Sequence, residues 1–365
     1  MPRSVVLQLT EACNLRCKMC YYWGETGCYS NAELGRKPAV LDFELLKQVI
    51  QDLASAKPYY SLFGGEPLLY PHFEELIHVI KGSGSIIDTP TNGTLLSKYA
   101  SMLVETGFDS VRVSIDGSRK INDSQRGFGS YDKAIAGINE LYQQKLQANK
   151  RIPFIDIIYT ITADNYRSIE QLFLEDLDLE TIDRVSIQME NFLTPMMGKI
   201  YAQLLKSEFD ITSEIYWRGL LRTPEDFNKI DTIELSRQVK MVKKSLSKLG
   251  KTIMLLPPTF SPENLSAYLK ADWQDMTDIY HSCLVPWVSV DITATGDLAP
   301  CHVYYDLVMG NLHDHRFEDI WNGEKYQKFR TYMAKNRFMS ICPGCCILYL
   351  AGMRLKKRDN RKIIK

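Results

Sequence analysis

The sequence predicts an α/β protein in which six βα units follow one another, and three observations carry that prediction. Short β-branched or aromatic runs alternate with longer stretches whose apolar residues recur at helical spacing. Pro and Gly punctuate most of the boundaries between them. The composition, 45% hydrophobic and 24% charged over 365 residues, is that of an ordinary globular chain able to bury a sizeable core.

In chain order, strands are expected at residues 4–9, 59–63, 85–88, 110–115, 155–161 and 184–189. Helices are expected between them at 42–55, 71–80, 96–106, 131–147 and 165–177, with Asp42 as an N-cap. Such a series implies a parallel sheet with right-handed crossovers, either an open doubly wound sheet or a barrel, complete or partial. Both architectures bind ligands at the carboxyl ends of the strands. The cysteine-bearing loop follows the first strand and Gly64-Gly65-Glu66-Pro67 the second. Thr91-Asn92-Gly93 comes soon after the third, and Asp116-Gly117 directly after the fourth. Four unusual loops therefore meet on one rim. Residues 196–280 are expected to be mostly helical, with a strand at 252–256, completing or covering the barrel. The texture of short strands, turns and cysteines over 281–350 marks a second small domain, with the boundary near residue 280.

Lys plus Arg equals Asp plus Glu at 44 each, so net charge does not point to nucleic acid. The one local excess, the basic tail 351–365, is expected to be a solvated terminus. No apolar run approaches the roughly 18 residues of a membrane span, and Gln8 and Thr10 interrupt the N-terminal apolar stretch. A cytoplasmic location is expected, and with it cysteines that ligate metal rather than form disulfides. Of the nine cysteines, four lie within the first 28 residues and five after residue 282.

Cys13, Cys17 and Cys20 stand in a C-x3-C-x2-C spacing. Three thiolates can hold three irons of a [4Fe–4S] cluster and leave the fourth iron open, as a catalytic site requires. A zinc site completed by a distant residue, or three unrelated thiols, fits the spacing as well. Cys283, Cys301, Cys342 and Cys345 follow as C-x17-C-x40-C-x2-C, which suits tetrahedral zinc or a fully ligated Fe–S cluster.

The residues around these spacings carry a family resemblance. Cys13-Asn-Leu-Arg-Cys17-Lys-Met-Cys20-Tyr21, followed one βα unit later by Gly64-Gly65-Glu66-Pro67, resembles the radical S-adenosylmethionine (radical SAM) superfamily. That resemblance implies a partial (β/α)6 TIM-type barrel over residues 1–195 and a SAM-binding [4Fe–4S] cluster held by Cys13, Cys17 and Cys20. It further implies that Gly64, Gly65, Glu66 and Pro67 bind the SAM amino group, two glycines admitting a close approach and Glu66 supplying negative charge. Tyr21 matches the aromatic after the third cysteine, and Asn92, Ser114 and Arg126 resemble further SAM contacts, Arg126 toward the carboxylate. Thr160 and Gln188, at the ends of later strands, are candidates to line the same site. Cys283, Gly296, Cys301, Met309-Gly310-Asn311-Leu312, Ile320-Trp321 and Cys342-Pro-Gly-Cys345 resemble the SPASM/twitch extension. Four spaced cysteines match the twitch form, with one auxiliary [4Fe–4S] cluster.

The resemblance implies reductive cleavage of SAM to a 5′-deoxyadenosyl radical, hydrogen abstraction, and a net oxidation (dehydrogenation) of a small molecule aided by the auxiliary cluster. The electron would come from an external donor such as flavodoxin or ferredoxin; neither a membrane nor a nucleic acid is an expected partner. Oxidative cross-linking or epimerisation of a ribosomal peptide is the alternative, with Cys346 or Cys28 as hydrogen donor. Outside catalysis, a structural or electron-transfer Fe–S or zinc protein would use the same cysteines, but such a scaffold has no need of the Gly64–Pro67 loop. His302 beside Cys301 is a candidate to tune the cluster, and Tyr216 and Trp217 are candidates to stack on substrate.

Overall fold

The computed structural model describes residues 1–29, 35–212 and 215–354. Most of the expected basic tail, from residue 355 onward, lies outside the described residues. Strands β1 (Ser4–Gln8), β2 (Tyr59–Phe63), β3 (Ile87–Thr91), β4 (Ser110–Ser114), β5 (Phe154–Ile161) and β6 (Arg184–Met189) pair in sequence order, all parallel. At one edge β7 (Thr252–Leu256) adds to β6, again in parallel. Beyond β8 (Tyr280–Cys283), strand β9 (Ser289–Ile292) adds in parallel at the other edge, with Val6 opposite Asp291. The barrel sheet is therefore longer than six βα units alone would give, and the C-terminal segment contributes one of its strands. Strands β10 (Asp297–Ala299) and β11 (Gly310–Asn311) continue the sheet antiparallel, while β12 (Gly352–Arg354) pairs with β8 in a separate two-stranded sheet.

Alternation along the strands decides what faces the helices and what faces the lumen. Tyr60, Leu62, Ile87, Val111, Val113, Ile155, Ile157 and Ile187 are buried completely. They pack under helices such as Phe43–Asp52, which is capped by Asp42 accepting from Leu45 N at 3.0 Å and turns Leu46, Val49 and Ile50 inward. The opposite face carries polar residues in register. Arg112 meets Asp88 and Ser61, and Arg184 meets Asp156 and Ser110. At the carboxyl ends that same face presents Phe63, Pro90, Ser114, Thr160 and Gln188.

Two expectations shift. The third strand, expected over 85–88, runs over Ile87–Thr91 instead. Pro90 concealed its end, because proline lacks the N–H that a ladder uses. The β2–β3 ladder stops at Asp88, and the Thr89 hydroxyl donates to Leu62 O at 2.9 Å in its place. The helix expected at 165–177 is broken into a 3-10 turn at Tyr166–Ser168, one α-turn and a π-turn at Leu172–Asp176. A further helix, Arg119–Arg126, escapes periodicity altogether because Ile121 is its one apolar residue.

Candidate functional site: two thiol-lined cavities at the barrel mouth

The cysteine loop begins where β1 ends. Gly65 N donates to Thr10 O at 2.7 Å and Glu66 N to Ala12 O at 2.8 Å, stitching the Gly64–Pro67 loop to the backbone just before Cys13. A Cβ on Gly65 would stand 2.2 Å from Ala12 O, so only glycine permits this approach. From the other side, the turn at residues 215–221 presses on the loop through Gly219, where a Cβ would stand 2.0 Å from Tyr21 O.

One cavity of about 940 Å³ opens at this rim. Cys13, Cys17, Cys20 and Tyr21 line it, as do Gly64, Gly65, Glu66, Pro67, Asn92, Ser114, Arg126, Thr160 and Gln188. Residues expected from six separate strand ends are thus brought to one space. Their side chains are held by one another. Glu66 Oε1 accepts from the Thr91 hydroxyl at 2.7 Å and from Leu68 N at 3.2 Å, and Oε2 accepts from Asn92 N at 2.9 Å. Burial pushes the Glu66 carboxyl up, and these bonds oppose the shift. The Asn92 amide donates to Asn14 Oδ1 at 2.9 Å, inside the cysteine loop. Arg126 Nε lies 2.6 Å from Asp116 Oδ2, and Asp116 Oδ1 accepts from Thr160 N at 2.7 Å. Asp116 therefore orients the guanidinium, whose Nη1 lies 3.9 Å from Cys17 Sγ.

The loop suits thiolates bound to a metal cluster. Donors are aimed at the sulfurs, Leu15 N at Cys13 Sγ (3.5 Å) and Trp23 N at Cys20 Sγ (3.3 Å). Without a metal's charge, burial pushes the Cys13 thiol up to about 12 and the Cys17 thiol up to about 11. Deprotonation at this buried place calls for a compensating cation. Among the described residues, no three His, Cys, Asp or Glu side chains converge tightly enough to hold one metal ion. Several irons spread over separate thiols make no such demand.

The second cavity, about 330 Å³, is lined by Cys283, Cys301, Cys342 and Cys345 among otherwise apolar neighbours such as Val285, Phe329, Met333 and Leu348. All four thiols are buried; burial pushes those of Cys283, Cys301 and Cys342 up, and that of Cys345 is raised first by its contact with the Cys346 thiol and then by burial. Four thiols in one apolar chamber fit an Fe–S cluster, whose ligands are cysteine thiolates. Tyr304 lines the chamber, its hydroxyl 2.5 Å from Cys342 Sγ. Cys345 faces this chamber, whereas its neighbour Cys346 turns to Asn191, whose amide lies 3.2 Å from the Cys346 sulfur. Asn191 lines the first cavity, so consecutive cysteines connect the two.

Four further candidates sit outside the lining of either cavity. Cys28 is buried in an aromatic cluster with Tyr22, Trp23, Tyr29 and Tyr305, outside the lining of either cavity. Tyr216 belongs to that cluster, edge-on to Tyr29 and Tyr305, and does not line the cavity. Trp217 packs into the core over Gly198, where a Cβ would stand 2.3 Å from its ring. His302, partly buried, lies 3.6 Å from Asp291 and 5.9 Å ring-to-ring from Phe63 of the cavity wall. Sequence reasoning missed Glu190 and Asn191. Glu190 also lines a neighbouring outer cleft of about 970 Å³, together with Lys18, Gln125 and Arg222. It forms an ion pair with Arg222 at 2.7 Å. Both residues follow directly on β6, where the strand-end rule that selected Gln188 would have found them.

The geometry and the comparisons define the class. The radical SAM superfamily profile matches residues 7–175, and the SPASM profile, an iron-sulfur cluster-binding domain, matches residues 283–346. The chain carries a radical SAM domain and, at its C-terminus, a SPASM/twitch-type Fe–S domain; the first binds SAM and a [4Fe–4S] cluster and the second auxiliary Fe–S clusters. It is similar to the Fe-coproporphyrin III synthase of Methanosarcina barkeri, 33% identical over 50% of this chain and 42% of that protein. The chain thus spans less than half the length of that relative in the match. It is 27% identical to the AdoMet-dependent heme synthase of Oleidesulfovibrio alaskensis, over 94% of this chain and 82% of the other. Among solved structures, Streptococcus suis SuiB bound to S-adenosylmethionine superposes with a TM-score of 0.62. That superposition covers 94% of this chain and 72% of SuiB at 15% identity, a likeness of fold. No helix among the described residues is long and apolar enough to cross a membrane.

Proposed function

We propose that the protein binds SAM in the cavity lined by Cys13, Cys17 and Cys20 and uses it to oxidise a small molecule held in the adjoining outer cleft. The observation that carries this reading is the joint lining of one cavity by the three cysteines, the Gly64–Pro67 loop and the strand-end residues Asn92, Ser114, Arg126, Thr160 and Gln188. When bound, the reduced cluster supplies the electron that splits SAM and so the means of abstracting hydrogen from an unactivated carbon. In this reading Cys13, Cys17 and Cys20 hold the cluster and Arg126, fixed by Asp116, meets the SAM carboxylate. The glycine loop offers backbone polar groups to the amino group. The Glu66 carboxylate, committed to Thr91, Leu68 and Asn92, keeps that loop and the Asn92 turn together.

Two observations favour oxidation. Cys283, Cys301, Cys342 and Cys345 furnish a second cluster site, and the Cys345-Cys346-Asn191 connection brings that site to the edge of the SAM cavity. A small molecule is favoured because relatives matching 94% of this chain are named heme synthases and, in Pyrococcus furiosus, a tungsten-containing aldehyde ferredoxin oxidoreductase cofactor-modifying protein. Peptide modification is the second reading, supported by 30% identity to the mycofactocin maturase MftC of Mycobacterium tuberculosis over 143 residues.

The test has two stages. The reconstituted, reduced protein should convert SAM to methionine and 5′-deoxyadenosine, with the product lost in the Cys13/Cys17/Cys20→Ala variant. Offered iron porphyrins with propionate side chains, it should yield products lacking hydrogens by mass spectrometry. Turnover of SAM in the presence of a peptide alone, with cross-linking or epimerisation and no reaction of any small molecule, would overturn the substrate reading.

A further inference from the structure

Strands β8 and β12 form a ribbon at the wall of the thiol chamber, and its two sides are unlike. Gly352 stands opposite Cys283 and Met353 opposite Ser282, and Leu284 N donates to Ala351 O at 3.0 Å, prolonging the ladder by one pair. Side chains alternate along such a ribbon. Cys283, Val285, Pro286 and Leu348 turn inward and line the chamber, so Leu284 and Met353 turn outward. Trp287 follows three residues after Leu284 on the short helix Val285–Val288, its N–H donating to Leu284 O at 3.0 Å. Leu350 lies two positions past the inward Leu348 on the helix Cys346–Ala351. All four are exposed, Leu284 and Trp287 at 39% and Leu350 and Met353 at 51%. One such residue is ordinary; four on the outer side of one ribbon make a patch.

The chain leaves this ribbon at Arg354 and continues into its one local charge excess. Residues 355–365 hold six Lys or Arg and one Asp, with Leu355, Ile363 and Ile364 among them, in a chain whose net charge is zero. The carboxylate that meets the ribbon's end is neutralised there. Asp278 is buried, paired with Arg354, and accepts from the Thr259 N–H and hydroxyl. Arg337, exposed, adds a positive charge beside β8, its carbonyl accepting from Cys283 N at 3.4 Å. The opposing exposed charges, Asp272 and Asp275, belong to the turn before β8, whose Trp273 packs against Gly344.

We propose that the outer side of the β8–β12 ribbon, together with the basic segment that follows Arg354, docks on an anionic lipid surface. One weak signal holds a protein to a bilayer only marginally, whereas apolar side chains at the interface joined to a cluster of Lys and Arg supply two. Trp287 suits the interfacial zone because its ring is apolar and its N–H polar. Nucleic acid would satisfy the basic segment but offers no apolar interior to Leu284, Leu350 and Met353. An acidic protein would call for a shaped recess to receive its anchors, and this face presents protruding side chains instead. Contact of this kind needs no spanning helix, and it departs from the expectation that overall neutrality sets.

The test is sedimentation of the reconstituted protein with vesicles of phosphatidylcholine alone and of equal parts phosphatidylcholine and phosphatidylglycerol. Wild type should bind the mixed vesicles, stay in solution with the neutral ones, and be released as salt rises. The Lys356→Glu/Lys357→Glu/Arg358→Glu variant should bind about a hundredfold more weakly, and Leu350→Ser/Met353→Ser about tenfold more weakly. Leu350 and Met353 are exposed, so the second variant should keep the wild-type iron content and melting temperature. No sedimentation of wild type with the mixed vesicles overturns the proposal, as does sedimentation that either variant leaves unchanged. Equal affinity for double-stranded DNA or polyglutamate, lost in the charge variant alone, would make the basic segment a general polyanion contact and overturn the lipid surface. None of these readouts depends on SAM cleavage, so failure here and failure of the proposed function are separate results.

Discussion

Replacing Glu66 by Gln asks whether this carboxylate is chiefly an anchor between two loops. In the structure it accepts three hydrogen bonds from buried donors, Thr91 Oγ1 at 2.7 Å, Leu68 N at 3.2 Å and Asn92 N at 2.9 Å. A glutamine has one accepting oxygen in place of two. If the amide nitrogen faces Asn92 N–H, that donor is orphaned. If the amide is turned round, Thr91 can rotate its hydroxyl to accept, and Leu68 N–H is orphaned instead. Either way one charge-assisted bond is lost, at a cost of about 1.5–3 kcal/mol. For a chain of 365 residues the unfolding entropy is about 0.8 kcal/mol per kelvin at the midpoint. The metal-free E66Q protein should therefore melt about 2–4 °C below wild type by calorimetry. Its far-UV circular dichroism should be unchanged, because the loop lies between elements. A melting temperature within 1 °C of wild type, together with SAM affinity weakened by about tenfold or more in the reconstituted protein, would refute the anchor. It would make Glu66 a direct ligand of the SAM ammonium.

Iron and sulfide analysis after anaerobic reconstitution should give about eight irons in wild type and about four in each of the Cys13/Cys17/Cys20→Ala and Cys283/Cys301/Cys342/Cys345→Ala variants. About four in wild type, with zinc retained elsewhere, would remove the basis for an oxidation. Tyr304→Phe deletes the hydroxyl in contact with Cys342 Sγ. Losing a bond worth about 1 kcal/mol should lower the auxiliary cluster's potential by about 40 mV in an EPR-monitored titration; an unchanged potential would show that the hydroxyl does not reach the sulfur. Burial, the largest single influence on the Asp123 carboxyl, acts upward, but the N–H groups of Tyr131 and Gly129 and the Ser130 hydroxyl together outweigh it and hold the group below the usual carboxylate range. Its contribution to stability is present above the unfolded pKa of about 3.9 and lost as pH falls through the lower folded value. The stability deficit of Asp123→Asn should accordingly be constant from neutral pH down to about 5 and shrink below 4 in urea titrations.

The elements that were legible are those whose local signal and tertiary environment agree. Strands such as β2 and β6 announce themselves because the face packed under the helices demands β-branched, aromatic or aliphatic residues at alternate positions. Cys13, Cys17, Cys20 and Gly64–Pro67 were legible because the chemistry sits in contiguous motifs. The Arg119–Arg126 helix was not, since seven of its eight residues are polar or charged and its stability comes from where it packs. β3 was displaced in the reading because Pro90 argues against a strand locally, while the neighbouring β4 supplies the ladder on the side that needs no proline N–H.

The sequence by itself determined the order of the βα units, the two cysteine sets and the loops at the strand ends, because periodicity and motif spacing are properties of short windows. Only the tertiary structure decided how those loops share their bonds. Glu66 is satisfied by Thr91 and Asn92, 25 and 26 residues later, Arg126 is turned by Asp116, and Cys346 is drawn to Asn191 while Cys345 faces the thiol chamber. It also decided that β9, near the end of the chain, pairs with β1, at its start. Such pairings join residues from distant parts of the sequence, and what selects them is the need of each buried polar group and sheet edge for a partner, which no local pattern records.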